Sequence, residues 1–194
     1  LRNERATIES VELDARILPS LIPDDPNYAN QWHLPLSNFP MAWNTSTGSG
    51  ITLAIADTGI ESTHSDLEAH IVPGWNFYDN NDQTNDVHGH GTAVAGAAAA
   101  IGNNTSQVAG AAYNVSIMPL RVSDTAGNGY YSTISQAIVY AADHGAKIVN
   151  VSYRIGESAA VERAARYMVR KGGVTVAAAG NTGLLSGIAS NSQN

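Results

Sequence analysis

Four short apolar runs, separated by stretches whose apolar residues recur at helical spacing, leave this 194-residue sequence few folds to choose from. The runs cover residues 51–56, 115–122, 148–151 and 174–179, and they are continuous in polarity rather than alternating. That is the pattern of strands covered on both faces of a sheet, and the last run is expected to be buried like the others. Between them, the Ala-rich residues 91–101 read as a helix. Ile134, Ala137, Ile138 and Ala141 mark a second helical face that ends at the capping Gly145. Val161, Ala164, Ala165, Met168 and Val169 mark a third, closed by Gly172-Gly173. The order β-α-β-α-β-α-β implies helical crossovers and therefore parallel pairing. The expected fold class is α/β: a doubly wound, mostly parallel sheet with helices on both faces. Pro119 counts against a strand at 115–122, because proline cannot donate to a ladder.

Composition narrows the function classes. Ten Lys and Arg against 17 Asp and Glu give a net charge of −7, and the basic residues are scattered. No stripe exists that could neutralise a phosphate backbone, so nucleic acid is not an expected partner. The most apolar run, 93–101, is broken by Gly96 and is too short to span a membrane. There is no cysteine, which excludes thiol catalysis, disulfides and cysteine-based zinc sites. Near the N-terminus, Ile8 to Asp14 alternates apolar and polar side chains like a half-buried strand. Three prolines within residues 19–26 then interrupt regular structure and read as a linker. Residues 1–20 are expected to be the end of a preceding unit, and residues 21–194 a partial domain that stops before its C-terminal part.

In an open α/β sheet, ligands bind beyond the carboxyl ends of the strands. Asp57 directly follows the run 51–56, and Asn181 follows the run 174–179 and Gly180. Between them lies Asp86-Val-His-Gly-His-Gly-Thr92, with His90 at the start of the Ala-rich helix. Carboxylate, imidazole and amide are three components of an acyl-transfer site: one orients, one moves a proton, one donates to an oxyanion.

Asp57-Thr-Gly-Ile60, His90-Gly-Thr-Ala-Val-Ala-Gly96 and Ala178-Ala-Gly-Asn181, in that order, resemble the subtilisin-like serine proteases. The resemblance runs from about Asp25 to the C-terminus. It implies secreted endopeptidases that cleave protein or peptide substrates, with Asp57 and His90 as triad members and Asn181 as the oxyanion donor. Asn150-Val-Ser-Tyr-Arg154 is similar to the family's substrate-pairing segment, so Ser152, Tyr153 and Arg154 are candidate substrate contacts. The family usually has glycine where Arg154 stands, and an exposed arginine is expected to point into water with its stem packed locally. Asp25-Pro-Asn-Tyr-Ala-Asn-Gln-Trp-His-Leu34, His64-Ser-Asp-Leu67 and Ile101-Gly-Asn-Asn-Thr-Ser-Gln-Val108 look like the parts of a family calcium site. The implied ligands are Asp25, Asp66, the Asn104 side chain and backbone oxygens of Ile101, Ser106 and Val108, an all-oxygen set suited to Ca²⁺. Ile8 and Val11 to Asp14 resemble the last strand of an inhibitory propeptide, which implies a zymogen and export.

The family's nucleophile lies in a Gly-Thr-Ser block, and the sequence contains none. Ser186, Ser190 and Ser192 are too close to Asn181 and lack that context. The chain alone is therefore expected to have no peptidase activity, and an early-ending sheet is expected to leave an open, association-prone edge. Two other readings remain at this level. One is a non-catalytic peptide-binding module that retains triad remnants. The other is a metal-dependent hydrolase using His88 and His90 with Asp57 and Asp86, although the Gly-Thr block after His90 suits a protease better and leaves His88 as a loop residue near the cleft.

Overall fold

The computed structural model describes residue 11 and residues 21–156 and 158–181. The proposed propeptide strand, apart from Val11, and the serines at 186, 190 and 192 lie outside the described residues. Two short helices, α1 (His33–Leu36) and α2 (Phe39–Ala42), precede the sheet. They are tied to the body by Gln31, whose amide donates to Ala109 O at 2.8 Å and accepts from Ala109 N at 2.9 Å. Trp43 is buried beside Leu34, Ala109 and Tyr113, and its indole N–H donates to Ala111 O at 2.9 Å.

Among the described residues the sheet has five strands: β1 (Thr52–Asp57), β2 (Trp75–Asn76), β3 (Ser116–Arg121), β4 (Ile148–Val151) and β5 (Val174–Ala177). They lie in the order β2-β3-β1-β4-β5 and every pairing is parallel. Three long helices make the crossovers: α3 (His90–Ala99), α4 (Tyr131–Asp143) and α5 (Ala159–Arg170). Successive side chains of a strand point to opposite faces. Leu53 and Ile55 of β1 and Ile117 of β3 accordingly join Ala95 and Ala99 of α3 in one core. Ala54, Ala56, Met118, Leu120, Val149 and Val151 face the other way, onto Ile134, Ile138 and Ala141 of α4 and Val161, Ala164 and Met168 of α5. Both faces are covered, so the sheet is doubly wound as its apolar runs require.

Pro119 is inside β3, and the pairing shows why it is tolerated. Ile117 and Arg121 both present their carbonyls to the β2 side, accepting from Val72 N at 2.9 Å and Phe77 N at 2.8 Å. Alternation puts Pro119 on that side too, between the two places where the neighbouring segment pairs, Ile71 with Ile117 and Trp75 with Leu120. The donor that proline lacks therefore falls in a gap in the ladder. Gly74 fills the gap, passing so close to the Pro119 carbonyl that a Cβ would collide with it.

Strand β2 is two residues long and carries no periodic signal, so the sequence pattern does not show it. The last run differs from expectation in another way. It forms β5, but Val174 and Val176 are 47% and 48% exposed, where a buried strand was expected. A continuous apolar run reports that a strand suits a covered position; whether an element lies over it depends on tertiary contacts. Among the described residues β5 pairs on one side only, with β4.

Candidate active site

Leaving out the two-residue β2, the strands read β3-β1-β4-β5, and the winding reverses direction between β1 and β4. The crevice of such a sheet opens at the carboxyl ends of those two strands. Asp57 is the last residue of β1, fully buried, and Thr58 N donates to its Oδ1 at 2.8 Å. His90 is the first residue of α3, its side chain half-exposed. Nδ1–H of His90 donates to Asp57 Oδ1 at 2.7 Å. A carboxylate oxygen only accepts, so this bond sets the tautomer and leaves Nε2 as the free ring nitrogen for proton transfer. Asp57 Oδ2 is buried without a hydrogen-bond partner among the described residues.

The helix that carries His90 is capped from a distance. Gly89, just before it, has φ 98° and no side chain to offer. Thr58 Oγ1 instead accepts from Gly91 N at 2.9 Å, and Asp86 Oδ2 accepts from Thr92 N at 2.8 Å, satisfying donors of the first turn. Asp86 also accepts from His88 N at 3.0 Å, Gly89 N at 2.8 Å, the Thr58 hydroxyl at 2.7 Å and the Thr92 hydroxyl at 2.5 Å. Burial opposes its charge, but the bonds from Thr92, Gly89, His88 and Thr58 prevail and hold the carboxyl at about 2. Thr58, next to Asp57, thus links β1, the 86–89 turn and α3. Gly91 lets the helix approach closely: a Cβ there would collide with the Gly59 carbonyl. Asp86 was legible in the sequence as a polar neighbour of His90. Its role as remote cap was not, because its partners at Thr58 and Thr92 are 28 and 6 residues away.

Beyond β4, Ser152 accepts from Asn150 Nδ2 at 2.8 Å. The ring of Tyr153 packs on Gly129, and its hydroxyl donates to Gly127 O at 3.2 Å. Burial raises the Tyr153 phenol, and the carboxylates of Asp57, Asp124 and Asp86 act in the same direction against a bond with Ser123. Gly127 in turn lies under the His88 ring, so the 124–129 turn bridges the two sides of the crevice. Arg154 is exposed, and its Cδ is 3.8 Å from the position a Cβ would take on Gly180. Asn181 is exposed at the end of the segment that follows β5, on the same sheet edge as Asp57.

The six calcium-type positions gather at a different place, around the loop after α3. Asp25 is 4% exposed, with Oδ2 accepting from Asn103 N at 2.8 Å and Oδ1 buried without a partner among the described residues. Asp66 is fully buried and accepts from Asn104 Nδ2 at 2.9 Å and Val108 N at 3.1 Å, while Ile101 N donates to Asp66 O at 2.9 Å. Ser106 N closes onto Asn104 Oδ1 at 2.9 Å. Asn103, Thr105 and Gln107 alternate through positive φ of 59°, 59° and 27°, which curls this loop tightly. Neither here nor around His88 and His90 does a group of three or more His, Asp or Glu side chains converge among the described residues.

The site thus holds a hydrogen-bonded carboxylate–imidazole pair at the switch point of a doubly wound sheet, an arrangement able to orient and move a proton. The chain belongs to the subtilase family, whose model matches residues 48–194. It is 42% identical over 164 residues to thermitase from Thermoactinomyces vulgaris, covering 83% of this chain and 58% of that protein. It is 38% identical over 184 residues to the thermophilic serine proteinase of Bacillus sp. (strain AK1), covering 93% of this chain and 46% of that one. Among solved structures, one titled as proteases from Pseudoalteromonas arctica PAMC 21717 superposes with a TM-score of 0.74 at 32% identity, covering 82% of this chain and 59% of that chain. The chain spans about half the length of the curated relatives it matches.

Proposed function

We propose that this chain carries the acid–base half of a serine endopeptidase, with Asp57 and His90 as triad members. The observation that carries the reading is the 2.7 Å bond from His90 Nδ1 to a fully buried Asp57, with the rest of the imidazole open to the crevice. In the proposed reaction, a serine from sequence outside these residues attacks the scissile carbonyl as its hydroxyl proton passes to His90 Nε2. Asp57 holds the ring and stabilises the imidazolium, and the proton then leaves with the amine. Asn181 donates to the oxyanion. Water repeats the sequence on the acyl-enzyme. The 194 residues alone, lacking a Gly-Thr-Ser block, hydrolyse no peptide bond.

The same reading assigns a structural Ca²⁺ to Asp25, Asp66, Asn104 and the carbonyl oxygens of Ile101, Ser106 and Val108. Two buried carboxylates from separate segments face the loop after α3, neither in an ion pair with a described cation, and are charge that a hard divalent ion would compensate. Bound there, the ion would hold the loop after α3. The propeptide-like residues 1–20 and export belong to this reading as well. No helix among the described residues is long and apolar enough to cross a membrane.

The test is hydrolysis of casein by the full-length protein, with and without a serine-directed inhibitor, beside Asp57→Asn. Cleavage that the inhibitor abolishes and the variant lowers about 10⁴-fold in kcat supports the triad. Cleavage that survives both, or that stops only on removing a transition metal, overturns it.

A further inference from the structure

We propose that Arg154 selects substrate, pairing with an acidic side chain of the bound peptide where the crevice passes between the ends of β4 and β5. The inference rests on the proteolytic reading above and names a substrate class for it.

Its first support is position. The chain leaves β4 after Val151 and reaches Arg154 three residues later, on the sheet edge that ends β1 at Asp57. The Arg154 stem reaches toward the chain that leaves β5. Its Cδ leans to the segment after β5, 3.8 Å from the Cβ position of Gly180, a residue with φ 100°. A side chain entering between these two strand ends meets the Arg154 stem on one side.

Charge is the second support. Among the described residues, Lys147 precedes β4 at the opposite edge, and Arg163, Arg166, Arg170 and Lys171 lie on or just after α5. Of the described Lys and Arg residues, Arg121 and Arg154 alone lie at the carboxyl edge. Arg121 is 7% exposed, bound to Asp79 at 2.9 Å and to Ser123 O at 3.3 Å. Arg154 is exposed and has no ion pair among the described residues. Among the described residues, the carboxylates of Asp57, Asp86 and Asp124 lie near enough to Tyr153 to act on its phenol. They disfavour acidic side chains along most of the crevice and leave Arg154 as the place where one is accepted. A guanidinium suits that task, because its planar donors match a carboxylate two at a time.

The experiment uses the full-length protein and fluorogenic peptides in which each position around the scissile bond is Glu, Gln or Lys in turn. Wild type, Arg154→Gln and Arg154→Glu are compared by the Glu-to-Gln ratio of kcat/KM, a ratio that does not depend on the fraction of folded enzyme. At one peptide position the ratio is expected to fall about tenfold in Arg154→Gln and further in Arg154→Glu, with Lys gaining there. Added salt shrinks the wild-type ratio. Equal ratios in all three proteins at every position overturn the role of Arg154 while leaving the protease intact. A wild type that cleaves none of the peptides, nor casein, removes the proteolytic reading and this proposal with it.

Discussion

Replacing Asp86 with asparagine tests how the helix bearing His90 is held in place. The wild-type carboxyl takes part in five hydrogen bonds, from Thr58, His88, Gly89 and twice from Thr92. They depress its pKa from 3.8 to about 2. At about 1.4 kcal/mol per pKa unit, that depression corresponds to roughly 2.5 kcal/mol of preference for the charged form. The carboxylate is partly open to water, so screening reduces the share that reaches stability to about 1 kcal/mol. Asparagine also presents an N–H where Thr92 needs an acceptor, and a stranded donor adds about 1 kcal/mol. Asp86→Asn is therefore expected to lose about 1–2 kcal/mol at neutral pH. The sign of the pH dependence follows from the folded pKa lying below the unfolded one. The contribution is complete above 3.8 and disappears as pH falls through about 2. Guanidinium unfolding of inhibitor-blocked full-length protein, followed by tryptophan fluorescence, should show a gap between wild type and variant that narrows from pH 4 to pH 2. A gap below about 0.3 kcal/mol at neutral pH, or one that is the same at every pH, would refute the capping argument.

Two further outcomes follow from the same geometry. Gly91→Ala drives a Cβ into the Gly59 carbonyl and pushes α3 away from β1. It is expected to cost about 1–3 kcal/mol in a thermal melt and to lower kcat more than it raises KM, since His90 moves with its helix. Chelation of calcium from the full-length protein is expected to lower Tm and to expose the 101–108 loop to proteolysis. Asp66→Asn should melt near the chelated wild type and gain little from added calcium, and a variant that keeps the full calcium shift would remove Asp66 from the site.

The order of the four longer strands and three long helices was readable from the sequence because each element's burial is written into its own periodicity, which the two-residue β2 lacks. Leu53 to Ala56, Val149 and Val151 are apolar for the faces they meet, and Ile134, Ile138 and Ala141 recur because a helix shows one stripe to a sheet. Asp57 and His90 were readable as candidate site residues because each ends or begins such an element, and strand ends in parallel sheets are where ligands bind. Four features were decided only in three dimensions. The tolerance of Pro119 depends on where β2 stops pairing, and the exposure of β5 on what lies over it. Asp86 caps α3 through Thr58, a residue on a different element, and Arg154 leans on Gly180 at the end of the next strand. Periodicity constrains a residue against its own neighbours along the chain, whereas a buried donor or charge finds its partner among residues far off in sequence, and only the folded chain sets those distances.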